Sequence, residues 1–250
     1  MKMNKPILIS MIVLLSLTIG GTAFAVPSID ISIGSTEDPG EVVNGLKILG
    51  VLTILALAPA ILMTLTSFTR IVIILSFLRT AIGTQSAPPN QVMVGLALFL
   101  TFFIMAPVGE EINTNAIIPY KAGELNDAEA FEKAKEPVRK FMLGHTREKD
   151  LMMFYEVAQL SLPRDEHEVM FRALVPAFII SELKTAFEMG FLLFIPFIVL
   201  DIAIASMLMS MGMIMLPPAL ISLPLKLMLF VVVDGWNLIV TSIVKSFAGG

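Results

Sequence analysis

The sequence predicts an all-α membrane protein built as two long helical hairpins separated by a small helical periplasmic insert. Three observations carry that expectation. Of the 250 residues, 56% are apolar and 15% charged, and the mean hydropathy is +0.86, whereas soluble domains sit near ~45–50% apolar and ~25% charged. The apolar blocks come in two pairs and are long enough to span, ~20 residues, the third, Ala173 to Leu216, being too long for one simple span. Each pair turns at a double proline, Pro88 with Pro89 and Pro217 with Pro218.

Residues 1–25 read as a cleavable signal peptide. Lys2 and Lys5 form a basic end, Ile7 to Ile19 an apolar run too short for a span, and Ala23-Phe24-Ala25 the small-x-small cleavage pattern. Cleavage between Ala25 and Val26 removes two lysines and leaves the chain more acidic than its formal charge of −4. That balance gives no footprint for nucleic acid. The chain has no cysteine, so neither disulfides nor thiolate metal sites hold the fold.

A periplasmic leader, 26–45, contains the Gly- and Pro-bearing stretch Ser28 to Glu41. The first hairpin covers 46–108. Its first helix begins as the charge-free run Ile48 to Phe68 and is expected to continue through Thr69 and Arg70 to Leu78, before Gly83, Pro88 and Pro89 break it. Val92 to Val108 supplies the second helix. The connecting turn region carries Arg70 and Arg79 and no acid, which places that end in the cytoplasm. The two arginines are nine positions apart on different helix faces, so they read as topology signals or subunit contacts.

The insert, 109–172, then lies on the periplasmic side and holds 13 of the 21 acidic residues. Asp127 to Lys140 has helical charge spacing, with Asn126 as its cap and Pro137 as a break. Leu151 to Leu160 reads as a second short helix. The second hairpin, 173–250, carries Glu182, Lys184, Glu188 and Asp201 in its third apolar block, and Lys226 and Asp234 in its fourth. Lys184 and Glu188 are four apart and can pair on one helical face. Glu182 and Asp201 have no evident partner in the chain, which points to contact with neighbouring subunits or a pore.

Neither histidine, His145 or His167, has ligand spacing, and no phosphate loop or nucleophile elbow is present. The residues therefore offer no catalytic site, no cofactor and no metal. The unusual feature is Met207, Met209, Met211, Met213 and Met215, five methionines in nine residues. On a regular helix steps of two residues turn about 200° and would scatter these side chains, whereas an extended or kinked segment presents them together. Irregular backbone at membrane depth must be covered by protein or line a cavity. Unbranched, polarizable methionine then suits a deformable pore seal; padding of a lipid-facing helix is the alternative reading of the same residues.

Two long strings carry a resemblance. SFTRIVIILSFLRTAIGTQSAPPNQVMVGLALFLTFFIMAPV spans Ser67 to Val108. PAFIISELKTAFEMGFLLFIPFIVLDIAIASMLMSMGMIMLPP spans Pro176 to Pro218 and is continued by LPLKLMLFVVVDGWNLIV, Leu223 to Val240. Both are similar to the FliP/SctR family of type III secretion export-gate proteins, and the signal peptide and insert resemble its flagellar branch. The resemblance implies a homo-oligomer, a pentamer, forming with FliQ and FliR a helical ring or cone in the inner membrane at the flagellar basal body. It also implies neighbours such as FlhB and FlhA, unfolded flagellar export substrates as cargo, and a pore gasket at Met207, Met209, Met211 and Met213. A small-solute or proton transporter using Glu182, Glu188 and Asp201, and an assembly scaffold with no cargo contact, are the competing readings.

Overall fold

The computed structural model describes residues 39–84, 86–213 and 215–248. The expected cleavage site at Ala25 and Val26 lies outside them. The chain divides into two compact units, 1–56 and 57–250. The described part of the first is helical from Pro39 onward, inside the stretch expected to be a leader. Every regular element among the described residues is helical.

Helix α1, Pro39–Leu65, ends without glycine or proline. The expected continuation through Thr69 is corrected: α2, Phe68–Ile82, starts after a break and is bent by 69° from the last turns of α1. The cause is polar but uncharged. The Thr66 hydroxyl donates to the Leu62 carbonyl, and the Thr69 hydroxyl to the Met63 carbonyl. These side chains satisfy acceptors that the helix end leaves free. Helix α2 closes at Gly83, and Pro89 leads into α3, Asn90–Ile112. A π-turn at 113–117 joins α3 to α4, Ile118–Lys121, so the apolar helix runs 32 residues, well past Val108.

In the insert, α5 spans Asp127–His145 and α6 spans Glu148–Val157. Asn126 caps α5 in a reciprocal box with Glu129. The expected break at Pro137 does not occur. Proline forfeits one bond to the Lys133 carbonyl, but Lys133 is exposed to solvent, while the Pro137 ring is buried in the packing.

Helix α7, Phe171–Ser210, is 40 residues, ~60 Å at 1.5 Å per residue, about twice the hydrocarbon thickness. It organises the rest. Near its start Ala173, Leu174 and Phe178 pack with Met142 of α5 and Tyr155 of α6. Midway, Ala186 joins Ile71 and Leu75 of α2, Met93 and Ala97 of α3, and Ile243. Beyond it, Phe197 packs with Leu78, Ala81 and Ile82 of α2 and with Phe230. Helices α8, Pro218–Val232, and α9, Gly235–Phe247, supply those last partners and are bent by 65° at Val233–Asp234.

Close approach of α2 and α7 depends on Gly190. A Cβ there would stand 2.6 Å from the Phe77 ring, and Phe77 meets Phe187 and Phe194 edge-on at 5.3 and 5.8 Å. Helices 90–121 and 171–210 are each long and apolar enough to cross a membrane. The turns after α2 and after α7 lie together at one end, because Gly83 shares a pocket with Pro218 and Ala219. The insert packs at the other end of α7.

Candidate functional site

Three carboxylates of the apolar blocks, Glu182, Glu188 and Asp201, find partners across the fold. Arg70, read from sequence as a topology signal or subunit contact, is 3% exposed, and Glu182 is 0% exposed. Arg70 Nε donates to Glu182 Oε2 at 2.8 Å and Nη2 donates to Oε1, a bidentate pair. Arg70 Nη1 donates to the Ser246 carbonyl and hydroxyl, each at 3.0 Å. The guanidinium also stacks 3.8 Å from the Phe247 ring centre. One arginine thus joins α2, α7 and α9, and Glu182 is enclosed by its own chain.

Asp201, also expected to lack an internal partner, accepts from Lys226 Nζ at 2.6 Å. The same ammonium donates to the Ala81 carbonyl at 3.2 Å. That carbonyl belongs to the last turn of α2, where helix acceptors are unsatisfied and a cation is favoured. The pair borders a pocket of about 300 Å³ shared by Gly83, Ala205, Pro218 and Ser222.

The expected Lys184–Glu188 pair is not formed. Glu188 accepts from Arg147 Nη2 at 2.8 Å, because the turn between α5 and α6 brings Arg147 onto this stretch of α7. The Arg147 backbone N–H donates to Ser181 Oγ at 3.0 Å, and Ser181 Oγ donates to Asp150 Oδ2 at 2.6 Å. Lys184 stays exposed and forms no ion pair among the described residues. No group of three or more metal-ligating side chains occurs among the described residues.

The methionine cluster sits where α7 stops. The Met213 N–H bonds the Leu208 carbonyl and the Gly212 N–H the Met209 carbonyl, both at 3.0 Å. This is a Schellman cap whose left-handed residue is Gly212, φ +75°. A side chain at that φ is strained, so the glycine within the methionine run ends the helix there. Met207 and Met209 occupy the last helical turns, and Met211, Met213 and Met215 the following turn. Met207, Met209 and Met211 are each about two-thirds exposed, Met213 is 39% exposed, and Met215 is 97% exposed. No core among the described residues absorbs them. Pro217 and Pro218 then start α8.

Arg70, Lys226, Arg147 and Ser246 were missed as members of these networks. The available signal was pairwise: lone opposite charges in separate apolar blocks demand a partner, although sequence does not say which.

The FliP family matches residues 51–243. The chain is 54% identical over 217 residues to the flagellar biosynthetic protein FliP of Bacillus subtilis, covering 87% of this chain and 98% of that protein. It is 48% identical over 238 residues to the protein of the same name from Aquifex aeolicus, covering 94% and 97%. With that of Pectobacterium carotovorum it shares 53% over 196 residues, covering 78% and 76%. The match takes in both apolar pairs, the insert, the buried Arg70–Glu182 pair and the methionine turn, and the chain belongs to the FliP family.

Proposed function

We infer that this chain is a core subunit of the flagellar type III protein export gate. Several copies, a pentamer, form a ring or cone with FliQ and FliR in the inner membrane, and unfolded flagellar substrates pass through it. The methionine turn carries the reading. Four exposed methionines, Met207, Met209, Met211 and Met213, end a long apolar helix on a glycine-terminated turn. Around a ring axis they form a gasket: flexible thioethers pack against one another when the pore is empty and deform around cargo of any sequence.

The charged residues support a static frame around that seal. Glu182, Glu188 and Asp201 each hold a cation of the same chain, which favours a structural role for them over that of unpaired carboxylates in a proton or solute transporter. FlhA and FlhB are the expected neighbours at the base of the apparatus. The test is secretion of hook and filament proteins by a strain lacking this gene, with the complemented strain as control. Export lost and then restored supports the reading; motility and secretion unchanged by the deletion would refute it.

A further inference from the structure

We propose that neighbouring copies of this chain are joined by an ion pair between Arg79 of one copy and Asp234 of the next. The proposal rests on the reading of the chain as a repeated subunit of a pore.

Asp234 stands at the bend between α8 and α9, in the middle of an apolar block. It occupies the left-handed region, φ +51°. It also holds the position before α9 where aspartate ordinarily caps a helix, yet its side chain makes no cap bond. It is exposed and has no ion pair among the described residues. Around it Val231 and Val232 are about three-quarters exposed, and Leu238 and Trp236 are exposed too. A formally charged carboxylate on an apolar corner of a membrane helix is costly until a cation meets it.

Height along the bundle selects the cation. Phe230 is buried with Leu78, Ala81 and Ile82, and Ile239 packs on the same cluster, so the bend is level with the end of α2. Arg79 lies on that stretch, half-buried at its surface, and has no ion pair among the described residues. The other cations of the apolar helices in 57–248 lie elsewhere or are occupied. Lys184, Lys245, Arg172 and Lys121 sit at the insert end, the first two beside Glu182 and Ser246, Arg172 at the start of α7 and Lys121 where the 90–121 helix meets the insert, while Arg70 and Lys226 are already paired. The contact joins two different patches, the heterologous arrangement that builds a ring, with apolar side chains beside it to exclude water.

The test uses the cysteine-free chain in flagellated cells with all its neighbours present. Two differently tagged copies carry Arg79→Cys and Asp234→Cys, and membranes receive a bis-maleimide, since a direct disulfide would demand Cα atoms within ~7 Å. A product bearing both tags is expected. In parallel, Asp234→Arg and Arg79→Asp each lose most of the oligomer on native gels, and the chain carrying both exchanges recovers it. Absence of the two-tag product, crosslinking of position 234 to a different polypeptide instead, or single variants that assemble as wild type would overturn the contact. So would a double exchange that fails to recover the oligomer although its monomer keeps wild-type protease resistance. Assembly and export separate the two readings: crosslinked oligomers in cells whose export is independent of this gene would sink the export role alone, and gene-dependent export without crosslinks would sink the contact alone.

Discussion

Replacing Arg70 by alanine strips the fully enclosed Glu182 of both guanidinium bonds and removes the contacts to Ser246 and the Phe247 ring. Breaking a buried pair by removing one partner costs about 3–5 kcal/mol. For a chain of this length each kcal/mol moves the midpoint by ~2–4 °C, so Tm of the detergent-solubilised protein should fall by roughly 6–20 °C. Helix loss on heating, followed by circular dichroism, reads this directly. Exchanging both partners for apolar residues, Arg70→Met with Glu182→Leu, should recover most of the loss, since no charge is then left buried. The control is Glu188→Gln. Its pair with Arg147 is half in water, and its loss should cost less than ~1 kcal/mol. An Arg70→Ala protein melting within ~2 °C of wild type would refute the reasoning, because Glu182 would then have a solvent path or another partner.

Two further outcomes follow from the packing. Gly190→Ala sets a methyl group against the Phe77 ring and should destabilise by about 1–3 kcal/mol, with Phe77→Leu in the same chain relieving part of it; unfolding midpoints of the single and double variants check the coupling. Lys226→Met leaves the Ala81 carbonyl without its partner and Asp201 unpaired, but Asp201 is 43% exposed. The cost should be about 1–3 kcal/mol, below that of Arg70→Ala on the same melting curve.

Much of the fold was legible because its signals are local. Apolar runs, double prolines and the Asn126 cap each act within a few residues, and each marks an element or a turn in the structure. The bend at Ser67 escaped because threonine hydroxyls, rather than proline, glycine or charge, terminate α1. Pro137 misled for the opposite reason: a lost backbone bond matters little where its carbonyl partner lies on an exposed turn. The ion pairs were illegible in kind. Arg70 and Glu182 are 112 positions apart, and only the packing of α2 on α7 makes them neighbours. Lys184 and Glu188 satisfied a local rule that Arg147 overrode from another element. The methionine cluster was visible as a cluster, and its presentation turned on Gly212, a single residue able to hold φ +75°.

The most direct measurement is ionic conductance across membranes of cells carrying Met207, Met209, Met211 and Met213 replaced together by alanine, with oligomer assembly monitored in the same membranes. Assembled oligomers with raised ion leak, and wild-type oligomers without it, are the predicted result. Assembled oligomers with unchanged conductance and normal export would contradict the gasket.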